Sequence, residues 1–397
     1  MSDQAAASSG KQKTLLVDKS KMPLAVGVAF VAFTTQFGGG FASGAQIYQY
    51  FINYGLWCLF LPIVSQLLLS LFFWYGMRYA YAHKTYDYRS FSDSFYGKFR
   101  PVFSNLFEIT YIIMIATASA AAFATGGSTL FTLTKIPYWL CTLVIGIFIF
   151  LIALYGTNIV RKAASTLSVL IIIGLVIVLV PNIVAQSDTI GTTISSMSQG
   201  QVPIGSVHSG AFLPALRSCF LYFLFQLSSV GLMYQHTEPL TSEKQVDRAA
   251  VYMFLTNTIA MMLSIVGMLA IAFVPSLKDA SVPMLVFVQN GVGANILTPI
   301  ISLLMILGAV STGVNMVAGM VARCVNAMEK KMSNKTKGHM SRNIVFSFIF
   351  TAIAFGIAQF GLMAVVVKGY AYLGYASFIS VFIPFVIHFI YKKVANR

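Results

Sequence analysis

The sequence predicts an all-α, polytopic membrane protein with about ten spanning helices, and three observations predict it. Of 397 residues, 57% are hydrophobic and only 9% are charged, against roughly 25% charged in an average soluble domain. The apolar residues fall into ten stretches, each near the roughly 20 residues that a helix needs to cross a hydrocarbon core. Lysine and arginine collect in alternate connections between those stretches, as cytoplasmic loops require. A single soluble core stops growing near about 250–300 residues, so a water-soluble fold is excluded. An aromatic content of 14%, with ordinary Gly and Pro, excludes disordered and collagen-like chains.

Residues 1–21 are polar, with no apolar run before Met22. They read as a disordered cytoplasmic tail without a cleavable signal, leaving the first span to direct membrane insertion. The spans are placed near 24–52, 55–82, 102–128, 137–156, 158–181, 210–236, 247–274, 295–327, 343–360 and 370–391, and residues 392–397 form a second short tail. With both ends inside, 22 of the 26 Lys and Arg fall on the cytoplasmic side, and only Lys135, Arg217, Lys278 and Lys368 fall elsewhere. The net charge of +15 is then a topology signal that calls for no nucleic-acid partner. The expected setting is the inner (plasma) membrane. The bilayer is the expected surrounding, and nothing in the sequence specifies an oligomeric state.

The joins add detail. Residues 183–209 make an outer loop without Lys or Arg. In the outer join 275–294, the apolar run Val282–Val288 is too short to span and reads as a re-entrant, lid-like helix or a surface helix. Trp57, Trp74 and Trp139 near span ends read as interface anchors. Cys58, Cys141, Cys219 and Cys324 are scattered in apolar segments and read as small buried hydrophobes.

The most informative stretch, Thr34-Thr35-Gln36-Phe37-Gly38-Gly39-Gly40-Phe41-Ala42-Ser43-Gly44-Ala45-Gln46, lies midway through the first span. Each glycine costs a helix about 1 kcal/mol relative to alanine. As one straight helix, 24–52 would be roughly 44 Å long. Both facts predict two half-helices joined by unwound backbone. Lipid cannot satisfy the freed N–H and C=O groups, so the break must face protein, water or ligand. The N–H groups of the second half-helix, around Gly40–Ser43, suit a carboxylate, and the freed carbonyls suit a cation. Close packing through Gly40-x-x-x-Gly44 is the plainer alternative.

The sixth span repeats the pattern in Phe225-Gln226-Leu227-Ser228-Ser229-Val230-Gly231. Five spans per unit give 22–182 and 210–391. An odd number inverts the second unit, and paired interruptions mark the interface of such repeats. The eighth span adds Gly308-Ala309-Val310-Ser311-Thr312-Gly313-Val314-Asn315. Its hydroxyls either serve a small hard cation or bond back to their own helix.

At Gly39-Gly40-Phe41-Ala42-Ser43-Gly44-x-x-Ile47-x-x-Tyr50-Phe51-x-x-Tyr54-Gly55, the chain resembles the first-helix motif of the YkvI-type bacterial membrane proteins. These are relatives of the amino acid–polyamine–cation (APC) superfamily, whose members have the LeuT fold. The family usually has an acidic residue where this chain has Gln46. The resemblance implies a 5+5 inverted repeat, with substrate held between helices 1, 3, 6 and 8. It also implies an Na⁺ site of the Thr34, Phe37 and Gly308 carbonyls with the Ser311 and Thr312 hydroxyls. Proton-coupled relatives carry a lysine inside helix 5, where this chain has only Lys162 near the start, and the difference favours Na⁺ as coupling ion.

The resulting expectation is a secondary transporter of a small amino-acid-like or amine solute, probing Gln36, Gly38, Gly39, Gly40, Phe41, Ser43, Gln226, Ser228, Ser229 and Asn315. Phe225 is a candidate lid, and Thr117 and Ser119 are weaker contacts. A proton-coupled carrier and a channel or sensor on the same fold are the alternatives. Glu108, about 10 Å into its span at 1.5 Å per residue, and Arg217 are candidates for gating or coupling. A partner for Glu108 is sought among Arg161, Lys162 and Arg323. His208, His236 and His388 lack metal-ligand spacing. His-Glu-x-x-His, Gly-x-Ser-x-Gly and paired intramembrane carboxylates are absent, so no enzyme and no resident cofactor are expected.

Overall fold

The computed structural model describes residues 23–155, 157–204, 206, 210–278, 280–329 and 338–395. The tail 1–21, His208, Lys330–Lys337 and the side chains of Arg161 and Lys162 lie outside the described residues.

Among the described residues, ten candidate spans can be traced. Six helices are long and apolar enough to cross a membrane, and nine spans result if each bent pair counts once. The tenth is the interrupted first helix. It comprises α1a (Leu24–Gln36) and α1b, which is itself split into Gly39–Ala42 and Ala45–Tyr50. Then follow α2 (Leu61–His83), α3 (Arg100–Thr134), α4 (Tyr138–Tyr155), α5 (Thr157–Ala185), α6a (Phe212–Leu227) and α6b (Val230–Thr237). The last are α7 (Glu243–Leu269), α8 (Ala294–Glu329), α9 (His339–Ala358) and α10 (Leu362–Lys392). The end that carries Arg78, Arg89, Arg100, Arg323 and Lys392 is called the basic end below.

The second span starts later than its hydropathy suggests. Residues Ile52–Leu59 form a 3₁₀ stretch bent by 76° from α2. Gly55 sets the corner with φ +67°, a conformation that only glycine adopts freely. Trp57 and Trp74 act as more than interface anchors: their indoles donate to the Gly210 carbonyl (2.8 Å) and to Asp247 (2.7 Å), tying the 3₁₀ stretch to the chain just before α6a and α2 to α7. Trp139 is 54% exposed, as an anchor should be.

α3 runs through the centre. Its residues 116–128 are almost all small, and Ala120 to Ala124 are fully buried. This lets neighbouring backbones approach. A Cβ on Gly126 would meet Ile145 of α4 at 2.9 Å, one on Gly146 would meet Phe123 at 2.9 Å, and one on Gly313 of α8 would meet Ile149 at 2.6 Å. Small residues serve membrane helices this way because bilayers supply no hydrophobic drive for helix association. α10 contains two π-helical stretches, Val365–Gly369 and Phe378–Phe382. Such widened turns free carbonyls, and two of these accept from tyrosine: Tyr50 hydroxyl to Val366 O (3.0 Å) and Tyr96 hydroxyl to Ser380 O (2.8 Å).

The run at 282–288 is helical over Pro283–Gln289 and buried. The Met284 N–H donates to Ser43 O at 2.9 Å, pinning this helix onto α1b as the lid-like reading expects. The connection between α5 and α6a carries a second short helix, Ser187–Ser198.

Candidate functional site

α1 breaks where its glycines begin. The Phe37 N–H closes the last turn on Phe33 O at 2.7 Å, and the next turn starts with Phe41 and Ala42 both donating to Gly38 O. Among the described residues, no backbone N–H donates to the Thr34 or Phe37 carbonyl. These are two of the three carbonyls expected at a cation. The same geometry takes donors from the other half of the expectation. The Phe41 and Ala42 N–H groups are spent on Gly38 O, so a carboxylate can draw only on the first residues of α1b. A second break follows at Ser43–Gly44, where Gly44 has φ +81°. The Ser43 hydroxyl donates to Gly40 O and accepts from the Ala45 N–H.

α8 faces the first break. A Cβ on Gly38 would lie 3.5 Å from Thr312 Oγ1, and one on Gly308 would lie 3.6 Å from Phe37 O. Unwound carbonyls and the α8 hydroxyl face are therefore neighbours. The hydroxyls of Thr34, Thr35, Thr117, Ser119, Ser228 and Ser229 all bond back to their own helix. Those of Ser311 and Thr312 make no hydrogen bond among the described residues, which removes back-bonding as their role here.

The bend of 46° between α6a and α6b at Ser228–Ser229 completes a cavity. Its wall takes Thr35, Gln36, Gly38 and Gln46 from α1, Met114 and Ala118 from α3, and Phe225, Gln226, Ser228 and Ser229 from α6. Thr312 and Met316 come from α8, and Tyr370 and Leu373 from α10. The space open to water centres is about 40 Å³, room for roughly three waters at 10–15 Å³ each. No charged side chain reaches it. The amides are its polar instruments. Gln36 Oε1 accepts from Gln66 Nε2 at 3.1 Å, and Gln226 Nε2 donates to the Tyr222 hydroxyl at 3.2 Å. Gln36 Nε2 and Gln46 Oε1 are buried without a partner, a state that costs about 1–3 kcal/mol per group unless something fills it.

Several expected residues are absent from the wall. Thr117 and Ser119 lie on other faces of α3, with Met114 and Ala118 in their place. Asn315 and Ser311 are beside the lining residues without joining them, and Phe41 and Ser43 pack into the core behind the cavity. Arg217 is exposed on α6a and away from the cavity. Gln46, Tyr370, Met114 and Met316 line it and were not singled out. The departure from an acidic residue at Gln46 was the one signal pointing to any of them.

Aromatic contacts and a charged cluster flank the cavity. Away from the basic end, Tyr50, Tyr222, Phe225 and Tyr370 form a buried aromatic layer, with Phe225 stacked on Tyr370 at 4.6 Å. Toward the basic end, Glu108 pairs with Arg323 of α8, accepts from the Tyr88 hydroxyl at 2.6 Å, and lies 3.9 Å from Arg89. The Arg323 guanidinium also sits over the Tyr88 and Tyr111 rings, at 4.3 and 5.1 Å. Of the cations considered for Glu108, Arg323 is brought to it; the side chains of Arg161 and Lys162 lie outside the described residues.

No protein-family model matches the sequence, and no curated protein matches it significantly. Solved structures do match in fold. A Na⁺-coupled sialic acid symporter, in a substrate-bound outward-open state, superposes with a TM-score of 0.55 at 14% identity, over 86% of this chain and 74% of the symporter. The chain shares the fold of that symporter. The manganese transporter of Eremococcus coleocola, solved with an aromatic bis-isothiourea compound, gives 0.50 at 15% identity, over 92% of this chain and 85% of that one. At such identities the likeness speaks for the fold alone, leaving activity and cargo to the site itself.

Proposed function

We propose that this protein is a secondary transporter that carries a small amino-acid-like or amine solute with Na⁺ by alternating access, with both termini in the cytoplasm of the cell that bears it in its plasma membrane. The observation that carries the reading is a small cavity at two helix breaks, walled by neutral amides of which Gln36 Nε2 and Gln46 Oε1 are buried without a partner. A zwitterion matches such a wall, because its ammonium group takes amide and carbonyl oxygens while its carboxylate takes amide N–H and hydroxyl groups. A divalent metal is a poorer match. Hard and borderline divalent ions want carboxylate, imidazole or thiolate ligands, and among the described residues no group of three or more His, Cys, Asp or Glu could hold a metal. The wall offers thioethers from Met114 and Met316 but no anion.

Na⁺ as coupling ion is supported by the released Thr34 and Phe37 carbonyls beside Gly308 and the unbonded Ser311 and Thr312 hydroxyls. Five neutral oxygens suit a small hard cation. The resemblance to YkvI-type proteins of the APC superfamily points to the same class of cargo, and the proposed cytoplasmic side rests on the sequence placing 22 of 26 Lys and Arg in the tails and alternate connections.

Thermal unfolding of the purified protein, titrated with amino acids, amines and osmolytes in NaCl or KCl, tests the reading. Binding confined to the native state raises the midpoint. A ligand whose shift appears in Na⁺ and vanishes in K⁺ is expected. A shift produced by Mn²⁺ alone contradicts the reading.

A further inference from the structure

We propose that the basic end holds a site for the phosphate headgroup of an anionic membrane lipid, in a surface cavity between the short helix Tyr88–Phe95 and the start of α3. The cavity measures about 470 Å³, and Arg89, Asp93, Lys98, Arg100, Ser104 and Asn105 form most of its wall. Three cations face one carboxylate. That carboxylate is already engaged: Asp93 accepts from Arg100 Nε at 2.9 Å and from the Ser104 hydroxyl at 3.4 Å. Lys98 has no ion-pair partner among the described residues, and Arg89 reaches Glu108 only at 3.9 Å. The cavity therefore keeps an excess of positive charge open to solvent, and the Asn105 amide and the Ser104 hydroxyl add neutral hydrogen-bonding groups.

Depth decides between a lipid and a free anion. Phe99, Val102, Ile109 and Ile112 are 69%, 57%, 53% and 44% exposed. Their spacing puts them on one face of α3, and that apolar face starts at the mouth of the cavity. Acyl chains can lie along it while the phosphate reaches Lys98, Arg89 and Arg100. The first turn of α3 adds to the wall, and its N-cap, Phe99, supplies no side-chain acceptor. A bound headgroup would share Arg89 with Glu108, so lipid occupancy would draw charge away from the charged cluster at the basic end.

The test uses the full-length protein in a neutral detergent. Its unfolding midpoint is followed against dioctanoyl phosphatidylglycerol, dioctanoyl phosphatidylcholine and sodium phosphate at constant ionic strength. The expected result is a saturable upward shift with phosphatidylglycerol, less than a fifth of it with the zwitterionic lipid, and none with inorganic phosphate. Lys98→Gln changes an exposed, unpaired side chain and should weaken the apparent affinity about fivefold, as for one interfacial cation. Combining Arg89→Gln, Lys98→Gln and Arg100→Gln should abolish the shift. Lys278→Gln, outside this cavity, should leave it unchanged. Equal shifts from the two lipids, an equal shift from inorganic phosphate, or full affinity in Lys98→Gln would overturn the site. If the triple variant does not fold, Lys98→Glu takes its place and should weaken binding further than Lys98→Gln.

Discussion

Gln46 and Thr312 carry the sharpest consequences for single side chains. Gln46 Oε1 is buried and unpaired, so Gln46→Leu removes an unfilled acceptor as well as a ligand contact. Its melting temperature without ligand should stay within a few degrees of wild type, or rise, while the ligand-induced shift disappears. Thr312→Val keeps the shape and removes the hydroxyl. The account predicts at least a tenfold loss in apparent Na⁺ affinity, read from the Na⁺ dependence of ligand binding, with little change in stability in K⁺. The glycines at 38–40 and the Ser311-Thr312 pair were legible because their composition departs so far from an apolar helix. Tyr370 was not, because it reaches the cavity just past a π-helical turn, and such a register change leaves no compositional mark. Thr117 and Ser119 lie off the cavity wall, which the sequence does not reveal for a related reason. α3 is built almost wholly of small residues between 116 and 128, with hydroxyls scattered around it, so no periodicity says which face meets the cavity.

Among the elements, α1b depends on space at Gly40. A Cβ there would lie 2.7–3.1 Å from the Gln46 side chain, so Gly40→Val should displace that amide and abolish uptake while the protein still folds. Gly127 is a packing counterpart. A Cβ would run into Thr142, with its Cα 3.1 Å away, and Gly127→Val should destabilise the α3–α4 contact by about 1–3 kcal/mol, as overpacking does. Beyond the membrane end of α8, Glu329 accepts from Arg342 and His339, each at 2.7 Å. Arg342 first, then His339, hold its carboxyl below the ordinary range. A lowered acid contributes stability above its unfolded value, about 4.3, and loses it as pH falls through the folded value. Glu329→Gln should therefore melt earlier than wild type at pH 7, with the gap closing below about pH 4. The ten spans themselves were legible from length and charge placement. The late start of α2 was not, since hydropathy passes through Gly55 without registering the turn that its φ imposes.

For the molecule as a whole, the cavity lies between an aromatic layer on one side and the Glu108–Arg323 pair on the other, and the proposed transport would require the two to open in turn. Glu108→Gln loses the ion pair and should favour opening at the basic end. Cys324 stands next to Arg323 and is half-buried, whereas Cys58, Cys141 and Cys219 are buried. Its reaction with an impermeant maleimide should speed up several-fold in Glu108→Gln membranes labelled from the basic side. The composition that announced a membrane protein also explains the site: with so few ionisable groups in the spans, recognition rests on backbone, hydroxyl and amide groups. The most direct test is uptake into proteoliposomes of the solute found by thermal screening, driven by an inward Na⁺ gradient. The account predicts Na⁺-dependent accumulation that Gly40→Val abolishes. Uptake driven by a pH gradient without Na⁺, or undiminished uptake by Gly40→Val, would contradict it.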